Sequence, residues 1–115
     1  MLRNSIFLFT LTICFLIVAT GRMHAVSPVA DPAVEKVYLD KCSVCHGEDG
    51  AGKTAKGKKL NVKDVRSPEI QKMTDAAMAE AVLKGKGKDM DGFEKELGAD
   101  MCRKLVSHMR DLAKK

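Results

Sequence analysis

Three residues of this chain stand at a spacing that can do chemistry: Cys42, Cys45 and His46, in the run Cys42-Ser43-Val44-Cys45-His46. Two thiols about one helical turn apart can each form a thioether to one of two neighbouring vinyl groups on a haem edge. The imidazole of the next residue then reaches the iron from the proximal side. Other chemistries use parts of the same pattern. A redox-active C-x-x-C pair of the thioredoxin kind sits in a βαβ unit, and no segment here alternates over a strand's length. A zinc site needs two further ligands at matching spacing, and Cys102 and His108 do not form a second knuckle. A Cys42–Cys45 disulfide is a third option for an exported chain. The adjoining imidazole, the glycine after it and the helical pattern of the rest favour haem attachment.

An iron held by His46 needs a second axial ligand, and a thioether or an imidazole would serve. The candidates are Met73, Met78, Met90, Met101, Met109 and His108, with Met23 and His24 if they survive processing. Met101 and Met109 fall on the inner face of a helix, and Met73 and Met78 lie within helical segments, so packing accounts for them. Met90 stands in a loop rich in Gly and Lys, where a thioether gains nothing unless something lies against it. Met90 is therefore the expected distal ligand. With two protein ligands the iron has no open position, so it exchanges electrons rather than binding oxygen or peroxide.

The elements that must position these residues follow from caps and periodicity. Asp31 caps a helix with Pro32 in its first turn. Val34, Val37 and Tyr38 share one face of it. The helix runs into Cys42, its last turns continue to Cys45, and Gly47 stops it. Gly47 to Lys59 reads as a loop, long for a small domain unless it wraps something. Ser67-Pro68 starts a short helix to about Met73. Thr74-Asp75 starts another, with Ala76, Ala79, Val82 and Leu83 as its apolar stripe and Gly85 as its end. A second loop spans Gly85 to Gly92. The closing helix covers about Ala99 to Lys114, burying Met101, Leu105, Met109 and Leu112, with Cys102 and Val106 at its flanks. The expected fold class is all-α.

Residues 1–25 have the layout of an export signal: Arg3, an apolar run from Ile6 to Ala19, and small residues at Gly21 and Ala25, either of which suits cleavage. Residues 26–115 then form one domain in an extracytoplasmic, periplasmic space, and the chain meets a membrane only if that segment is kept. The full chain of 115 residues carries a net charge of +5; the segment holds two arginines and no acid, which leaves +3. That is too mild and too interleaved for a nucleic-acid binder. It suits docking on an acidic partner protein. Only Tyr38 and Phe93 remain as aromatics, with no Trp, so a large apolar cofactor would supply core volume that the chain lacks.

On these residues the chain resembles the class I c-type cytochromes, in particular the small soluble bacterial monohaem proteins. Cys42-Ser43-Val44-Cys45-His46-Gly47-Glu48-Asp49-Gly50-Ala51-Gly52 is similar to that family's haem-binding run. Lys84-Gly85-Lys86-Gly87-Lys88-Asp89-Met90-Asp91-Gly92-Phe93 resembles its distal methionine loop, and Leu97 with Leu105–Ala113 resembles its closing helix. The resemblance implies four to five helices around one covalent haem c, with the first and last helices crossing near Tyr38 and Leu105. It implies His46 and Met90 as axial ligands, single-electron transfer between redox proteins, no enzymatic activity and a monomer. A haem-based sensor or weak peroxidase with a labile Met90 is the alternative. Three positions depart from the family: Asp91 stands where a proline usually follows the methionine, Lys59 where a proline usually precedes Leu60, and His108 where an aromatic is usual. In the family that proline's carbonyl holds the proximal histidine, and here another backbone carbonyl is expected to do so. Arg66 or Lys59 is the expected partner of a haem propionate, Cys102 an enclosed free thiol, and the lysines of both loops a positive rim.

Overall fold

The computed structural model describes residues 30–115; the segment read as an export signal lies outside them. The chain forms α1 (Pro32–Lys41), α2 (Ser43–His46), α3 (Ala55–Lys59), α4 (Pro68–Gln71), α5 (Asp75–Lys84), a two-stranded ribbon of β1 (Gly85–Lys86) and β2 (Met90–Asp91), and α6 (Glu94–Leu112). The all-α class holds, and α1 packs against α6 as expected.

Side-chain caps start four of these helices. Asp31 accepts from the Ala33 N–H, Thr54 from Gly57, Ser67 from Ile70 and Thr74 from Ala77. Each satisfies an N–H that the first helical turn leaves unpaired. Thr54 explains one departure from the sequence reading. The stretch 47–59 was expected to be loop throughout, yet its last five residues are helical because Thr54 caps them. The expected loop 85–92 departs as well: Gly85 pairs with Asp91 and Lys86 with Met90 in an antiparallel ribbon. A ladder two residues long has no room for the alternation by which a strand is recognised.

The core sits where α1 crosses α6. Tyr38 and Leu105 are each 1 % exposed there, and Cys102 is wholly enclosed, with Val34, Val82 and Leu112 completing the cluster. A second cluster joins Met78, Ala79 and Val106 to Ile70, Met73 and Met109. Cys102 and Val106, expected at the flanks of the last helix, lie deeper than Met101 and Met109. On α5, Met78 occupies the inner stripe and Ala76 is exposed. The last helix also begins earlier than its periodic pattern. Gly98 breaks it, with φ 78° and ψ 159°, a conformation open to glycine alone, so a short turn over 94–97 precedes the long segment from Ala99.

Candidate haem site

The attachment motif is built at the end of α1. The Cys42 N–H still donates to the Tyr38 carbonyl (2.9 Å), and the Cys42 carbonyl already accepts from His46 N–H (2.9 Å), so the two cysteines and the histidine share one tight turn of helix. Gly47, at φ 80°, ends it. The loop beyond folds back on the same turn. Gly52 N–H donates to the His46 carbonyl (2.7 Å). The Thr54 hydroxyl, while capping α3, donates to the carbonyls of Val44 (2.8 Å) and Cys45 (3.2 Å). Tyr38 donates its buried hydroxyl to the Gly47 carbonyl at 2.8 Å. Burial drives the Tyr38 pKa well above the ordinary phenol value, which keeps that donor protonated.

A cavity of about 490 Å³ opens beside this turn, within the range of roughly 300–1,000 Å³ usual for cofactor sites. Cys42, Cys45, His46 and Met90 all line it. Most of the remaining wall is aliphatic or thioether. Burial holds the His46 imidazole below its ordinary pKa, so it stays neutral. Its Nδ1 is the one buried side-chain nitrogen or oxygen among the described residues without a hydrogen-bond partner. The carbonyl acceptor expected for it is therefore missing. The Cys42 thiol is pushed up to about 11, by burial first and then by Cys102 and Cys45. Among the described residues no cluster of three or more His, Cys, Asp or Glu is placed to hold a metal ion.

Residues 30–109 match the family described as "Cytochrome C oxidase, cbb3-type, subunit III". The chain belongs to this family of c-type cytochrome domains. A solved structure, "KustC0563 c-type cytochrome", is similar at 30% identity with a TM-score of 0.63, covering 68% of this chain and 94% of that one. None of the curated proteins matches. The cytochrome's chemistry is thus haem-based electron transfer with covalently bound haem c, in a family whose members are typically carriers rather than enzymes and are extracytoplasmic. Among the described residues no helix is long and apolar enough to cross a membrane.

Several side chains fall elsewhere than expected. Met73, Met78 and Met109 line the cytochrome's cavity together with Met90, whereas Met101 packs into the helix crossing. Helical periodicity marks Met101 and Met109 as inward-facing and cannot tell core from cofactor wall. His108 is not on the cavity; its ring lies 4.7 Å from that of Tyr38, centroid to centroid. Arg66 and Lys59 are not among its lining residues either. Asp64, two residues before Arg66, takes the guanidinium through Nε and Nη2, each at 2.9 Å. The cations that do line the cavity are Lys41, Lys56, Lys63 and Lys86. Lys41 pairs with Glu96 and Lys63 with Glu69, while Lys56 and Lys86 have no carboxylate within 4.0 Å among the described residues. A lysine that faces a cavity leaves no signature in a sequence with this many lysines.

Proposed function

We propose that the protein is a periplasmic single-electron carrier with one haem c, attached through Cys42 and Cys45 and ligated by His46 and Met90. The observation that carries this reading is the convergence of those four residues on one largely apolar cavity, although Met90 lies 44 positions beyond His46. Four methionines line the cavity, but Met73, Met78 and Met109 belong to one packed cluster. Met90 stands apart from it on the ribbon, which supports Met90 as the distal ligand.

When bound, haem supplies an iron that gains and loses one electron. The chain does the rest. Cys42 and Cys45 fix the cofactor's edge, the neutral His46 ring offers a nitrogen lone pair, and Val65, Ile70, Val82 and Phe93 keep water off its faces. A Met90 thioether on the iron would favour its reduced form and so raise the potential. Without a hydrogen bond at Nδ1, His46 is a weaker donor, which acts in the same direction. Lys56 and Lys86 are the cations left to meet the propionates. Lys41, Lys56, Lys63 and Lys86 share the cavity's lining with Asp89 and Asp91, and Val44 on the same wall is 56 % exposed; the lysines are the groups that an acidic redox partner would meet.

A pyridine haemochrome assay of the exported protein should give the c-type spectrum at one haem per chain. The oxidised protein should show the weak long-wavelength Fe–S(Met) band, and Met90→Ala should abolish it. Persistence of the band in that variant would transfer the ligand role to one of the clustered methionines. Fast cyanide binding by the wild type would favour the sensor or peroxidase reading.

A further inference from the structure

The side chain with the most cross-links in this domain carries no motif. Arg110, on α6 beside Met109, has a side chain only 22 % exposed. Its Nη1 donates to the Gln71 carbonyl (2.9 Å) and to Gln71 Oε1 (3.2 Å). Nη2 donates to the Met73 carbonyl (2.6 Å) and to Asp75 Oδ1 (2.8 Å), and Nε to that same oxygen (3.1 Å). The two carbonyls belong to the end of α4 and the turn before α5, where the backbone has run out of intrahelical donors.

The connection continues beyond the guanidinium. Gln71 Nε2 donates to the Val65 carbonyl at 2.7 Å. The Val65 N–H donates to the Gly50 carbonyl (2.9 Å), and the Gly50 N–H to the Gly47 carbonyl (3.1 Å), which also accepts from Tyr38. A chain of hydrogen bonds therefore leads from the last helix to the turn that follows His46. Val65, Ile70, Met73 and Met109 lie along it, and all four line the cavity.

Resting on the reading that this cavity holds haem, we propose that Arg110 is a positioning residue for the cofactor: it sets the wall formed by residues 65–73 against α6 and, through Gln71 and Val65, steadies the turn after His46. A plain ion pair with Asp75 is the competing account. Asp75 is 81 % exposed, and a carboxylate so well hydrated adds little to a pair. The main-chain carbonyls, which need a planar fork with several donors, are the contacts that select arginine.

The test uses the haem-loaded protein and the variants Arg110→Gln, Arg110→Lys and Asp75→Asn, all at a temperature where far-UV circular dichroism shows them folded. A loosened wall admits water, which stabilises the oxidised iron. For Arg110→Gln the equilibrium constant for reduction by a one-electron mediator should fall about threefold, roughly 30 mV at 59 mV per tenfold. The haem methyl resonances of the oxidised protein should move with it. Arg110→Lys, whose ammonium reaches fewer acceptors, should lie between wild type and Arg110→Gln, and Asp75→Asn should match wild type. If Arg110→Gln does not fold, Arg110→Lys carries the same readout. A lowered melting temperature with potential and methyl shifts unmoved in both arginine variants overturns the proposal. Absence of a covalent haem signal from the wild type would instead sink the haem reading itself.

Discussion

Replacing Gly57 by alanine sets helix propensity against packing, and the two predict opposite signs. Gly57 is the middle residue of α3, where alanine is favoured over glycine by about 1 kcal/mol. A Cβ at this position, however, would lie 2.3 Å from the Cys45 carbonyl oxygen and 2.5 Å from that of Gly52. Both are main-chain atoms, so no side chain can swing aside, and contacts this short need a shift approaching 1 Å in α3 or in the attachment turn. Overpacking of this kind costs about 1–3 kcal/mol, and two clashes with main-chain atoms put this site in the upper part of that range, about 2–3 kcal/mol. Packing therefore wins, with a net loss of roughly 1–2 kcal/mol and a melting temperature lower by about 5–15 °C for a domain of this size. The Thr54 hydroxyl, shared between α3 and the Val44 and Cys45 carbonyls, is strained by the same movement. Thermal unfolding of Gly57→Ala should be compared with Lys58→Ala, on the exposed side of the same helix, which should change stability by less than about 0.5 kcal/mol. A Gly57→Ala protein that melts at or above wild type would refute the claim that α3 is pressed directly onto the cysteine turn.

Leu105→Ala empties the centre of the α1–α6 crossing and should cost about 2–5 kcal/mol in chemical denaturation, without loss of the haemochrome signal in the fraction that folds. Tyr38→Phe should cost less, about 0.5–1.5 kcal/mol by the same assay, because the Gly47 carbonyl keeps the Gly50 N–H as a partner. The Arg66 guanidinium holds the Asp64 carboxyl below its ordinary value of 3.8, so its contribution is fully present above that value and is lost as pH falls through the lower folded pKa. Melting temperatures of Asp64→Asn measured over roughly pH 5 to 2 should accordingly fall less steeply than those of wild type.

The attachment motif and the helices that carry it were legible because each rests on local chemistry. Asp31-Pro32, Ser67-Pro68 and Thr74-Asp75 announce helix starts, and all three begin where those residues stand. Thr54 is a cap of the same kind, but it was masked by the four glycines and the run of lysines around it. Gly57, which as a helix residue argues for loop, is there because the Cys45 carbonyl leaves no space for a side chain. The cavity wall was legible only in part. Met109 follows the helical period of a core residue, and nothing local distinguishes packing on protein from packing on a cofactor. Arg110 and Gln71 carry no signal for a related reason: their partners are carbonyls of residues 65–73, and main-chain acceptors have no identity in a sequence.

Cys102 has a practical consequence. Once Cys42 and Cys45 are taken up in the thioethers proposed above, it is the one remaining thiol among the described residues, and its sulfur is sealed inside the helix crossing. An alkylating reagent reaches it only in molecules whose first and last helices have come apart. The rate of labelling in excess reagent therefore counts openings of the native protein, and the haem absorbance recorded alongside shows whether the cofactor's surroundings loosen in the same event or independently. The domain thus carries its own clock for opening, needing neither denaturant nor an engineered probe.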